Sequence, residues 1–236
     1  QLEIRNPANH AELVGKVSLD DGDSMAAALE RANDALVTWK VTDVTERARL
    51  LNALADALEA HRDELITLCC KEAGKTIADS VAEIREAVDF CRYYALQAVE
   101  QKFLGQIAAA LAVGDAVIAK PAEQTSLIAR RTLDIMQDCG FPANVVVPIV
   151  ARGPDVGKHL VPDTRIKAVM FTGSTETGAV IAKTLAKRSD APVPLIAETG
   201  GQNCMLVDST ALPEQVVDDV ITSGFQSAGQ RCSALR

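Results

Sequence analysis

Ala168-Val169-Met170-Phe171-Thr172-Gly173-Ser174-Thr175-Glu176-Thr177-Gly178 is the stretch that decides the fold. Its apolar start reads as a buried strand over 166–172. The small, hydroxyl-rich turn behind it opens onto a helical pattern reaching about Lys187. Backbone N–H groups left free at such a helix start, with the helix dipole behind them, favour a phosphate. Gly173 lets a ligand approach the backbone, and Ser174 offers a hydroxyl. Two standard phosphate motifs are ruled out directly. A P-loop ends in Gly-Lys-Ser/Thr, whereas Gly178 is followed by Ala179 and Val180; the dinucleotide fingerprint needs a central glycine that this turn lacks. The turn reads either as a phosphate contact outside both classes or as a plain helix cap.

The same strand–turn–helix step recurs outward from there. Towards the N-terminus, strand 116–119 precedes a helix over 126–138 that ends near Gly140, and strand 145–150 precedes a short helix to about Leu160. Towards the C-terminus come strands 195–198 and 204–207 and a helix over 212–227. Strands separated by helices imply right-handed crossovers and a mostly parallel sheet. The expected class is α/β, a Rossmann-type parallel sheet with helices on both faces, binding ligands at the carboxyl ends of its strands. Residues before Gly105 read as a helical segment. Ser24, Thr45 and Ser80 are the expected caps of three helices, and a further helix over 61–71 stops at Gly74.

The 236 residues carry 48% hydrophobic residues, enough for a core, but only 3% aromatics. The net charge of −8, with no basic run, argues against a nucleic-acid surface. No apolar stretch is long enough for a membrane-spanning helix, and no signal-peptide pattern stands at Gln1-Leu2-Glu3-Ile4-Arg5. The expectation is a soluble, cytoplasmic protein. Its six cysteines form no CxxC pair, which weakens zinc and redox readings, and no metal site is expected. Most of these thiols should be reduced core residues. Cys204, inside an apolar run, reads as core, and Cys139, beside a helix-ending glycine, as structural.

Four clusters carry chemistry. Lys120-Pro121-Ala122-Glu123 follows a strand, where Lys120 and Glu123 can both reach ribose hydroxyls, and a carboxylate there repels a 2′-phosphate. Alone, the pair more commonly reads as a solvated ion pair. Gly153-Pro154-Asp155-Val156-Gly157 is a second glycine-bearing helix entrance. Glu198-Thr199-Gly200-Gly201 ends an apolar strand at the ligand edge. Gly229-Gln230-Arg231-Cys232 puts a thiol in a turn beside a cation, which favours the thiolate.

In this order the clusters resemble the NAD(P)-dependent aldehyde dehydrogenase superfamily, and the interval between Glu198 and Cys232 matches that family. The segments 119–129, 195–203 and 227–236 resemble more narrowly its L-glutamate γ-semialdehyde (1-pyrroline-5-carboxylate) dehydrogenases, in the form carried by bifunctional proline-catabolic enzymes. The resemblance implies that Cys232 is the nucleophile and Glu198 the base that activates the hydrolytic water. It implies NAD as cofactor: Lys120, Ala122 and Glu123 at the adenosine ribose; Phe171, Thr172, Gly173 and Ser174 at the pyrophosphate turn; Gly153 and Gly157 towards the adenine; and the Thr199 and Gly200 backbone near the nicotinamide. The implied partners are a small aldehyde substrate and further copies of the chain in a homo-oligomeric parent.

Two departures accompany the likeness. The family's Pro-Trp-Asn-Phe-Pro segment, which supplies an oxyanion-binding asparagine and a sheet strand, is missing where Gly105 meets Gln106. Losing one such donor costs roughly 10²–10³ in rate. The chain also stops soon after Cys232, so most of the catalytic domain, with a second ribose carboxylate and an oligomerisation strand, is expected beyond Arg236. The expected division is 1–105 as the helical part of the cofactor domain, 106–197 as its α/β part and 198–236 as the start of a catalytic domain. Three functional readings stay open: oxidation of L-glutamate γ-semialdehyde, nucleotide binding without turnover, and oxidation of another aldehyde.

Overall fold

The computed structural model describes residues 1–100, 107–229 and 231–236. Gln106 and Gln230 lie outside the described residues. The chain divides into two compact units, residues 1–165 and 166–236.

The first unit opens with an antiparallel hairpin, β1 (Leu2–Asn6) and β2 (Asn9–Val17), pairing Leu2 with Val17 and Ile4 with Gly15. This corrects the helical reading of the N-terminal segment. Leu2-Glu3-Ile4-Arg5 alternates with the two-residue period of a strand, but Ile4 is the only hairpin residue that is fully buried, so the apolar signal was weak. Helices α1 (Gly22–Trp39) and α2 (Val44–Ala60) follow. Their caps are Asp21 and Asp43, whose carboxylates accept from the backbone N–H of Ser24 at 2.9 Å and Thr45 at 2.8 Å. The expected caps Ser24 and Thr45 are therefore the donors, because aspartates upstream hold the acceptor position. Helix α3 (Arg62–Ala73) stops as read at Gly74, with φ +67°. An added Cβ there would sit 2.7 Å from Pro7 Cγ, so this glycine also lets the hairpin turn pack on the helix end.

Helix α4 (Ile77–Glu100) is capped by Thr76, whose hydroxyl accepts from the Asp79 N–H at 3.1 Å and donates to its carboxylate at 2.8 Å. Ser80, the expected cap, is instead fully buried in the first turn and donates back to the Thr76 carbonyl. Helix α4 packs along α2, where Leu51, Leu54, Leu58, Ile84, Val88 and Cys91 interleave in one core with Trp39 and Phe141. The two rings meet at 5.9 Å. Arg47 is buried among them, its guanidinium donating to the carbonyls of Ala112 and Thr42.

Helix α5 (Ile107–Val113) leads to β3 (Val117–Ala119), a single 3-10 turn (Glu123–Thr125), α6 (Ser126–Asp138), β4 (Val146–Pro148) and α7 (Gly153–His159). Strands β3 and β4 are parallel, Val117 facing Val146 and Ala119 facing Pro148.

The second unit contains β5 (Val169–Gly173), α8 (Thr175–Ala186), β6 (Leu195–Thr199) and α9 (Pro213–Phe225). Strands β5 and β6 are parallel and in register from Val169–Leu195 to Gly173–Thr199. The strand expected over 204–207 is not formed. Asn203 makes one parallel bridge to Leu235, while Leu206 is 92% exposed. An apolar run becomes a strand only where a ladder partner takes its N–H and C=O groups, and among the described residues no strand pairs with 204–207. Cys204, read as core, is accordingly exposed. The class is α/β, with both nucleotide-type strand pairs parallel.

Candidate active site

The register of β5 and β6 assembles the second unit's site. Thr172 faces Glu198 and Gly173 faces Thr199, so the phosphate-type turn and the Glu198 carboxylate emerge together at the carboxyl ends of adjacent parallel strands. That is where open α/β sheets bind ligands. Gly173 is required by its own strand: a Cβ would lie 2.5 Å from the Phe171 ring. Ser174 caps α8, its hydroxyl accepting from the Thr177 N–H at 3.2 Å and lying 3.0 Å from the Thr177 hydroxyl. The plain-cap reading of this serine is thus realised, with its hydroxyl still exposed at the helix start. Gly200 is open on all sides.

Cys232 reaches this edge through a residue the sequence reading passed over. Asn203, five positions past Glu198, donates both N–H bonds of its side-chain amide across the unit, to the Cys232 carbonyl at 2.6 Å and the Ala234 carbonyl at 3.0 Å. Its own carbonyl accepts from the Arg236 N–H at 3.0 Å. Gly201 completes the seat, since a Cβ there would come within 3.1 Å of the Cys232 carbonyl. The loop after β6 therefore grips the Cys232 turn. Upstream of that turn, Ser227 and Ala228 adopt φ of 57° and 55°, a left-handed conformation that costs non-glycine residues energy and recurs at functional sites. The signal that could have revealed Asn203 is chemical: a lone amide after two glycines is suited to bridging two backbone segments.

Cys232 and Glu198 are both exposed. Among the six thiols, Cys69 and Cys91 are buried, and burial pushes each up to about 11. Burial also raises the half-buried Cys139. Cys232 and Cys204 are the exposed thiols, and the carbonyl of Cys232 is held by Asn203 of the loop after β6.

In the first unit, Lys120 follows β3 directly and forms an ion pair with Glu123 at 3.3 Å, each side chain about a quarter exposed. Lys120 also donates to the Pro121 carbonyl at 3.0 Å. Glu123 is held below the usual carboxylate range, first by its own backbone N–H and then by Lys120. Ala122 is exposed beside them, and Gly153 and Gly157 in α7 have open space where a side chain would be. The open groove along α4, lined by Arg85, Glu86, Phe90 and Tyr93, holds none of these residues. Among the described residues, no group of three or more His, Cys, Asp or Glu could hold a metal ion, and no helix is long and apolar enough to cross a membrane.

A parallel α/β framework with a glutamate at a strand end, and an exposed cysteine in a turn held by the loop after that strand, defines a class, and the chain belongs to the aldehyde dehydrogenase family. The sequence profile of that family matches residues 1–105 and 101–236. Bifunctional protein PutA of Escherichia coli is 45% identical over 259 positions, covering 99% of this chain and 20% of that protein. The 1-pyrroline-5-carboxylate dehydrogenase of Bacillus licheniformis is 32% identical, covering 97% of this chain and 52% of that enzyme. A solved 1-pyrroline-5-carboxylate dehydrogenase from Thermus with bound NAD superposes with a TM-score of 0.92 at 29% identity, over 99% of this chain and 53% of that one. The chain thus spans about a fifth to a half of these relatives. The alignment with PutA runs over more positions than the 236 residues here, and the two profile matches meet at 101–105. The relatives therefore carry residues this chain lacks, and the break in the family match falls where the missing asparagine segment was expected.

Proposed function

We propose that the chain is the cofactor-binding part, and the start of the catalytic part, of an NAD-dependent L-glutamate γ-semialdehyde dehydrogenase acting in proline catabolism. The division is the one expected from the sequence: 1–105 and 106–197 for the cofactor, and 198–236 for the chemistry. The observation that carries the proposal is the clamp by which Asn203 holds the Cys232 turn against the loop of Glu198.

In this reading Cys232 Sγ, as thiolate, attacks the aldehyde carbon, forming a C–S bond and a tetrahedral oxyanion. The Cys232 backbone N–H is the donor left for that oxyanion. The cofactor held by the chain would supply the hydride acceptor for the carbon bound to Cys232, which would keep the acyl group as a thioester. Glu198 takes a proton from water, which attacks the thioester; the C–S bond breaks, releasing the carboxylate and the Cys232 thiolate. Lys120, Ala122 and Glu123 would hold the adenosine ribose, Phe171, Thr172, Gly173 and Ser174 the pyrophosphate, Gly153 and Gly157 the adenine side, and the Thr199 and Gly200 backbone the nicotinamide. The residues fit such a group: the exposed Ser174 hydroxyl at the start of α8 stands at one strand end, and a Lys–Glu pair at another. The whole enzyme is read as a cytoplasmic homo-oligomer.

The test is semialdehyde-dependent NADH formation. In the full-length parent, wild type is expected to turn over and Cys232→Ala to lose all of it, while still binding NAD; undiminished turnover in Cys232→Ala would refute the assignment. A second reading, NAD binding without turnover, is favoured by the residues missing around 101–105. It is distinguished by calorimetric NAD binding in a wild type that oxidises no aldehyde.

A further inference from the structure

Glu72, near the end of α3, is only 4% exposed, yet it carries a carboxylate. Its two oxygens reach across to another helix, accepting from the backbone N–H groups of Leu127 at 2.6 Å and Ile128 at 3.0 Å. These are N–H groups of the first turn of α6, which have no partner within their own helix. The next link runs backwards along the chain. Ser126, 2% exposed, turns its hydroxyl to the carbonyls of Ala122 at 3.2 Å and Glu123 at 2.9 Å. Two pairs of part-buried hydrogen bonds, joined through the 126–127 backbone, therefore link Glu72 to the segment that carries Ala122 and Glu123. The α6 start is also fixed sterically, because Leu127 packs so close to Gly15 of β2 that a Cβ there would sit 2.6 Å from it.

A carboxylate is costly to bury, and burial raises Glu72 above the usual carboxylate range despite its two hydrogen bonds. A neutral helix cap from a local serine would stabilise the same turn at lower cost. What the distant carboxylate adds is position: it locks the α6 start, and with it Glu123, to α3.

We propose that Glu72 is a positioning residue for cofactor selection, holding Glu123 where its carboxylate admits the free ribose hydroxyl of NAD and repels the 2′-phosphate of NADP. This rests on the reading that Glu123 faces the adenosine ribose. The distinguishing quantity is the ratio of the Kd for NADP to the Kd for NAD. A residue that only supports the fold changes both constants alike and leaves the ratio untouched.

The experiment is calorimetric titration of the chain with NAD and NADP, in wild type, Glu123→Ala, Glu72→Gln and Ser126→Ala, each checked by circular dichroism for a folded state. Glutamine is close in shape but turns an amide donor towards a backbone donor, leaving one N–H of α6 unsatisfied. The ratio is expected to fall about 10-fold in Glu72→Gln, the size of one charged contact, and to fall in Ser126→Ala and Glu123→Ala as well. If Glu72→Gln does not fold, Ser126→Ala decides, because it cuts the same chain of bonds without burying a mismatched group. A ratio that falls in Glu123→Ala but holds in Glu72→Gln and Ser126→Ala overturns the proposal alone. A ratio that holds even in Glu123→Ala, or a wild type without preference, overturns the ribose reading and the proposal with it.

Discussion

Asn203 shows how much chemistry can rest on one amide. Its two donated hydrogen bonds, to the carbonyls of Cys232 and Ala234, reach 29 and 31 residues along the sequence and fix the turn on which the thiol stands. Asn203→Ala removes both donors, and the Cys232 turn then samples a wider range of positions. Misplacing a reacting group by about 1 Å can cost roughly 10²-fold in rate. The expected outcome is a kcat lowered at least about 10-fold, with the KM for NAD unchanged, measured by steady-state NADH formation; an unchanged kcat would show that the clamp does not matter to the reaction. At this scale the sequence was informative about chemical types and silent about reach. Cys232 and Glu198 could be singled out because a reactive type stood at a turn or strand end. Asn203 and Glu72 were not, because their partners lie 29 and 55 residues away or more, and no local pattern encodes such a distance.

Among the elements, α3 carries two carboxylates that tie it to α6 and respond oppositely to acid. Glu64 pairs with Arg131 at 2.7 Å and is lowered from the ordinary value of 4.5 mainly by that guanidinium. Glu72 is raised from the same value by burial. Linkage then fixes the signs. The contribution of Glu64 is present above pH 4.5 and is lost as the pH falls through its lower folded value. The contribution of Glu72 is fully present below pH 4.5 and is lost as the pH rises through its higher folded value. In thermal melts, the Tm advantage of wild type over Glu64→Gln should shrink on acidification. Its Tm relative to Glu72→Gln should instead rise on acidification. Parallel trends in the two series would contradict the assignment. Element types were largely readable from periodicity: α3 stops at Gly74 and α6 spans 126–138, as the sequence indicated. The misreadings have physical causes. The caps moved to Asp21, Asp43 and Thr76 because several polar residues near a helix start compete for the same N–H groups. The hairpin and the run at 204–207 were misjudged because a strand is defined by its partner, which an apolar pattern does not specify.

For the whole molecule, burial is distributed unevenly. The continuous core of α2, α4, α5 and α6 lies in residues 1–165, whereas among the described residues of 166–236 the buried apolar side chains are Leu185 and Ala234. The β5–β6 pair, with Met170 and Ile196 both 39% exposed, has the few buried contacts that mark low local stability. Its amides are expected to exchange with solvent faster than those of α2 and α4 in native-state hydrogen exchange, and to gain protection when NAD is added. Equal protection of the two sets without ligand would contradict this distribution. The parallel α/β class was legible in the alternation of strands and helices.

The pairing of Cys232 as nucleophile with Glu198 as the base for hydrolysis is tested most directly by trapping. Glu198→Gln, incubated with NAD and L-glutamate γ-semialdehyde and then digested, should yield a peptide containing Cys232 that has gained the mass of the acyl group, with one NADH formed per acylated chain. A peptide left unmodified while NADH accumulates, or an acyl group found on Cys204 instead, would contradict it.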